Sequence, residues 1–88
     1  MDWKVEFDPR ALTELQKLDR TPQKRILKFL LERIQGINNP RQAGKALTGG
    51  KVALWRYRVG DYRIISHLDD ANHTVLILRI AHCKEAYR

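Results

Sequence analysis

The sequence predicts an α+β fold: an N-terminal strand, a two-helix hairpin, then a three-stranded antiparallel meander. All strands are expected to form one sheet with the helices on one face. Three observations predict it. Trp3-Lys4-Val5-Glu6-Phe7 alternates apolar and charged residues, which is the period of a strand. Asp8 to Gly36 holds two helix start signals with apolar residues at helical spacing. Beyond Lys51, alternating runs are separated by the short turns Gly60-Asp61 and Asp69-Asp70-Ala71-Asn72. The place of the first strand in the sheet stays open.

Asp8 before Pro9 reads as an N-cap with proline at the first helical position. Leu12, Leu15 and Leu18 follow at helical spacing. Asp19-Arg20-Thr21-Pro22 interrupts the pattern, and Thr21-Pro22 repeats the start signal. The second helix is expected to bury Ile26, Leu27, Leu30, Leu31 and Ile34 and to end at Gly36. These eight apolar residues are read as core. Residues 37–51 read as a loop, punctuated by Asn38-Asn39-Pro40, Gly44 and Gly49-Gly50, with Ala46-Leu47 anchoring it. The three later strands are expected over about 52–59, 62–68 and 74–81.

Alternation then sorts the side chains. In the second strand Val52, Leu54, Arg56 and Arg58 share one face and Ala53, Trp55, Tyr57 and Val59 the other. In the middle strand Tyr62, Ile64, Ser66 and Leu68 oppose Arg63, Ile65 and His67. In the last strand Leu76, Leu78 and Ile80 are expected in the core, with Val75, Ile77 and Arg79 turned away.

The 88 residues suit one domain, residues 1–88. No run reaches the roughly 18 apolar residues of a membrane span. The first residues lack the layout of a signal peptide. One cysteine makes no internal disulfide and no multi-cysteine zinc site, so a cytoplasmic protein is expected. Seventeen Lys and Arg against ten Asp and Glu leave a formal charge of +7, which attracts phosphate-rich partners. A merely solvated cationic surface is the plainer reading.

Arg56, Arg58, Arg63 and Arg79 all lie within predicted strands. Like charges on one sheet face repel, so clustering them costs stability unless an anion is bound. Guanidinium groups fork onto phosphate and stabilise charge developing at phosphorus. Alternatively, these arginines pair with Glu6, Asp61 or Asp69 and only solubilise the sheet. Tyr57, Tyr62, Tyr87 or Trp55 could stack on bases, although packing is the simpler role for Trp3 and Trp55. Lys24, Arg25, Lys28 and Arg33 read as a solvated helix face, with contact to ribosomal RNA as the weaker reading. His67, His73, His82 and Cys83 lack zinc spacing, so no metal is expected. His82 and His67 titrate in a range useful for proton transfer. Adjacent His82 and Cys83 point apart along a strand, which discounts them as a nucleophile pair.

The element order, "FDPRALTELQKL", "LWRYRVGDYRIISHLDD" and "IAHCKEAYR" together resemble the RelE/ParE superfamily of toxin–antitoxin toxins. The resemblance covers nearly the whole chain and is strongest in the L-x-R-x-R-x-G-x-Y-R run and the closing H-x-x-E-x-Y-R. It implies a RelE-like fold and, in the RelE branch, a ribosome-dependent endoribonuclease cutting mRNA in the A site without a cofactor. Arg63 matches the phosphate-binding arginine. Arg56 falls where a basic residue, commonly lysine, is found. Tyr87 matches the C-terminal tyrosine near the scissile nucleotide. Cys83 stands where relatives with "HRREVY" carry a catalytic arginine, and cysteine supplies no fixed charge; either Lys84 takes over part of that role or the chain is a weakened enzyme that cuts RNA poorly. Arg58, Arg79, His82 and Lys51 complete the expected RNA-binding set.

The resemblance further implies a cognate antitoxin lying over the helices and sheet edge, with operator DNA bound only together with it. Two other readings stand beside the nuclease. A ParE-type toxin would share the fold and inhibit DNA gyrase instead. A plain nucleic-acid-binding module would bind any RNA or DNA in a salt-dependent way.

Overall fold

Asp8 sits between the first strand, β1 (Lys4–Phe7), and the first helix, α1 (Pro9–Gln16). Its carboxylate accepts the Arg10 N–H at 3.0 Å, and Pro9 fills the position whose missing N–H costs nothing. The structure is a computed structural model that describes residues 3–35, 39–47 and 54–86, with Glu85 and Ala86 described by backbone alone. Of the sequence expectations, Lys51, Tyr87, the helix end at Gly36 and the Val52–Ala53 start of the first meander strand lie outside those residues.

The second helix, α2 (Arg20–Phe29), starts one residue before Thr21, with Asp19 at the N-cap position. The Gln23 side chain donates to the Leu15 carbonyl at 3.0 Å and ties the two helices. After Phe29 the helix widens into a π-helical turn, Leu30–Ile34, closed by the Gln35 N–H on the Leu30 carbonyl at 2.8 Å. Leu15, Ile26, Leu30 and Ile34 are buried as expected. Leu12, Leu27 and Leu31 are not: they are 42%, 36% and 58% exposed. A hairpin that covers a single sheet face buries one narrow stripe of each helix, and these three leucines lie outside it.

The sheet has five strands in the order β1-β5-β4-β3-β2. The meander is β3 (Leu54–Val59), β4 (Tyr62–Asp69) and β5 (Thr74–His82), antiparallel throughout. Gly60 supplies the positive φ of the β3–β4 turn. Strand β1 lies parallel to β5 at one edge, pairing Lys4 with Thr74 through Phe7 with Ile77. At the other edge is β2 (Lys45–Leu47), inside the segment expected to be a loop. Three residues carry too little pattern to read as a strand. They become one by pairing with Leu54–Arg56. Gly44 permits the approach: its φ is +74°, and a Cβ there would lie 2.1 Å from the Arg56 carbonyl oxygen.

The core side of β5 also departs from expectation. Ile65 stands opposite Arg79 and Ser66 opposite Ile77, which leaves Leu78 as a bulged residue. The bulge shifts the phase, so Val75, Ile77 and Ile80 are all buried against the helices while Leu76 and Leu78 are half-buried. Tyr57, Ile64 and Leu68 complete that face. The last strand runs to His82, and a short helix α3 (Cys83–Ala86) follows. Its first N–H, that of Cys83, is accepted by the Asp61 carbonyl at 2.7 Å. No described helix is long and apolar enough to cross a membrane.

Candidate phosphate-binding site

Strand β2 pairs with β3 only as far as Arg56, which stands opposite Lys45. Beyond that point the outer edge of β3 has no strand neighbour among the described residues, and a hollow of about 350 Å³ opens there. Alternation keeps Arg56 and Arg58 on one face of β3, and the register sets Arg58 opposite Arg63. Five cationic side chains line the hollow: Arg33, Lys45, Arg56, Arg58 and Arg63. Phe29, Ala43 and Gly44 complete its wall, which holds no carboxylate among the described residues.

Arg63 is only 9% exposed, whereas Arg58 stands in solvent with its Nε donating to the Gly60 carbonyl at 3.2 Å. The alternative of solubilising ion pairs with Glu6, Asp61 or Asp69 does not describe Arg56 and Arg58. Among the described residues neither lies within ion-pair distance of a carboxylate.

The wall is held from behind. Tyr57 is fully buried, donates its hydroxyl to the Pro40 carbonyl at 2.6 Å, and meets Phe29 edge-on at 5.6 Å. Burial pushes the Tyr57 phenol above its ordinary range. It therefore packs and does not stack on bases. Trp55, half-buried, donates its indole N–H to the Ala43 carbonyl at 2.7 Å and also packs. Phe29 in turn carries the Arg33 guanidinium 5.5 Å over its ring.

Other expected residues lie elsewhere. Arg79 is taken by Glu14 of α1, with Nε 3.1 Å from one carboxylate oxygen and 3.2 Å from the other. The reason is topological: β1 stops at Phe7, so β5 beyond Ile77 lacks a strand neighbour there, and Glu14 fills the edge by also accepting the Ile80 N–H. His82 pairs with Tyr62, their rings 5.4 Å apart, so alternation directs it away from the face of Arg63. Its Nδ1 accepts the Lys84 N–H at 3.2 Å. Lys84 is exposed at the start of α3, and Cys83 beside it is half-buried. His67 lines a different hollow with Lys4, Glu6, Asp69, Asn72, Thr74 and Leu76. His73 turns with φ +46° and packs on Trp3 at 5.3 Å.

Sequence reasoning missed Phe29, Arg33 and Lys45 as parts of the site. The i, i+4 spacing of Phe29 and Arg33 was a readable signal for their contact. Nothing local marks Lys45.

A family model described as the ParE toxin of type II toxin–antitoxin systems matches residues 5–87. Over 78 residues the chain is 37% identical to Toxin RelE of Mycobacterium tuberculosis, covering 86% of this chain and 79% of that protein. Toxin RelG of the same organism is 30% identical over 88 residues, covering 100% and 99%. Among solved structures, a RelBE toxin–antitoxin complex from Mycobacterium tuberculosis superposes with a TM-score of 0.83 at 28% identity, over 93% of this chain and 92% of that one. A mutant of Escherichia coli toxin RelE in the free state gives a TM-score of 0.78 at 26% identity, over 99% and 90%. The five-stranded sheet, its two-helix cover and these matches agree: the chain belongs to the RelE/ParE family of type II toxin–antitoxin toxins.

Proposed function

We propose that this toxin is a metal-independent endoribonuclease that cuts mRNA in the ribosomal A site and so arrests translation. The observation that carries the reading is the buried Arg63 opposite Arg58, in a hollow with three further cations. Arg63 holds the scissile phosphate, and Arg56 and Arg58 flank it. The RNA 2′-hydroxyl oxygen attacks its adjacent phosphorus and the bond from phosphorus to the 5′-oxygen breaks. The products are a 2′,3′-cyclic phosphate and a 5′-hydroxyl. Three guanidinium groups stabilise the extra negative charge of the transition state. An arginine, with a pKa above about 12, is a poor proton acceptor. Lys84, in its neutral amine form, takes the 2′-hydroxyl proton and as the ammonium returns it to the departing 5′-oxygen, and Tyr87 stacks on the cut nucleotide.

Relatives solved as complexes with an antitoxin support a cognate antitoxin for this chain. Operator DNA would be bound by the pair together, with the antitoxin supplying the DNA-binding part. The 88 residues act as one domain in the cytoplasm, where ribosomes and mRNA are.

The test adds purified protein to programmed ribosomes and maps mRNA 5′ ends. Cleavage within the A-site codon, abolished in Arg63→Ala, supports the proposal. Intact mRNA together with inhibited supercoiling by purified gyrase overturns it.

A further inference from the structure

The hollow is larger than its proposed task requires. About 350 Å³ falls within the roughly 300–1,000 Å³ typical of sites for whole small molecules, and a single phosphodiester group fills only part of it. Its cations are also ordered. Two cross-strand pairs, Lys45 opposite Arg56 and Arg58 opposite Arg63, follow one another two residues apart along β3. Two residues of strand span about 6.6 Å, a separation on the scale of one nucleotide step. Arg33 faces the same space from the π-helical turn.

Arg33 is not a loose surface side chain. Its guanidinium lies over Phe29, Phe29 packs on Tyr57, and Tyr57 is pinned to the Pro40 carbonyl. That chain of contacts fixes a cation at the rim before any ligand arrives.

We propose that the hollow holds two consecutive phosphates of one RNA strand. Arg58 and Arg63 take the first. Lys45 and Arg33 take its neighbour, and Arg56 stands between them. The inference rests on the phosphate-binding reading of this site and deepens it: the ligand is a strand with two adjacent phosphates, gripped at the open edge of β3.

The test uses 2′-O-methyl RNA, which binds but lacks the attacking hydroxyl. Its probes are a dinucleotide with one phosphate and a trinucleotide with two. Binding is followed by NMR titration across a salt series. For wild-type protein the trinucleotide should show a steeper dependence of log affinity on log salt, by about 0.7 for the extra phosphate. The variant R33Q/K45Q should lose that increment. Its trinucleotide affinity should fall at least about fivefold and its dinucleotide affinity less than about twofold. Both side chains are exposed, so the fold should persist, as a melting curve would verify. Equal losses on both ligands, or none on either, would overturn the second subsite. Arg63→Ala separates the two levels of the argument. If it binds both ligands as wild type does, the phosphate reading itself fails. If it loses both while R33Q/K45Q changes neither, only the second subsite fails.

Discussion

Arg58 and Arg63 stand directly opposite each other across β3 and β4, and both face the same hollow. Like charges at such a position destabilise a sheet by roughly 0.2–1 kcal/mol. Removing the exposed partner should therefore stabilise the free protein. Arg58→Gln is expected to raise unfolding stability by an amount in that range at low salt, and by less at high salt. The same substitution should weaken RNA binding. Denaturant melts at two salt concentrations, with and without RNA, check both halves.

Tyr57 is expected to matter for stability and not for chemistry. Tyr57→Phe removes the donor to the buried Pro40 carbonyl and should cost about 1–3 kcal/mol. It should also change the alkaline limb of stability. The folded phenol is held neutral above its ordinary 10.0, so its contribution is complete below pH 10 and lost as pH rises beyond it. The difference in stability between wild type and Tyr57→Phe should shrink between pH 9 and about pH 11.5. Denaturant midpoints across that range provide the measurement.

Glu14 joins residues 65 and 66 positions away, through Arg79 and the Ile80 N–H. Glu14→Ala leaves that N–H without its acceptor at a partly buried sheet edge. A loss of about 1–3 kcal/mol is expected. Glu14→Gln keeps an acceptor oxygen for Ile80 and should recover part of the loss. Paired unfolding curves distinguish the two variants.

Gly44 crosses β3 at a distance no side chain tolerates. Gly44→Ala should destabilise by more than about 2 kcal/mol, from the positive φ and from the displacement of β2. Hydrogen exchange of the Lys45–Leu47 amides should quicken if β2 separates from β3.

Local signals predicted much of this protein. Asp8-Pro9 marks the first helix start, and strand alternation sets Arg56 and Arg58 together on one face. The Gly60 turn then brings Arg63 opposite Arg58, so the centre of the site was legible. What escaped notice depends on distant parts of the chain. Lys45 belongs to a strand that exists only through its pairing with β3. Arg79 lies at an edge whose partner comes from α1. Val75 and Ile77 turn inward because Leu78 is bulged, and no composition rule announces a bulge. Leu12, Leu27 and Leu31 carry the same apolar signal as the true core, since periodicity does not reveal which part of a stripe the sheet covers.

The central claim is that the hollow at the open edge of β3 cradles RNA phosphate around Arg63. A crystal structure with a 2′-O-methyl oligonucleotide tests it most directly. The account predicts a phosphate within hydrogen-bond distance of the Arg63 guanidinium, with Arg56 and Arg58 beside it. RNA seated on the helices or in the hollow of His67, with those three arginines untouched, would contradict it.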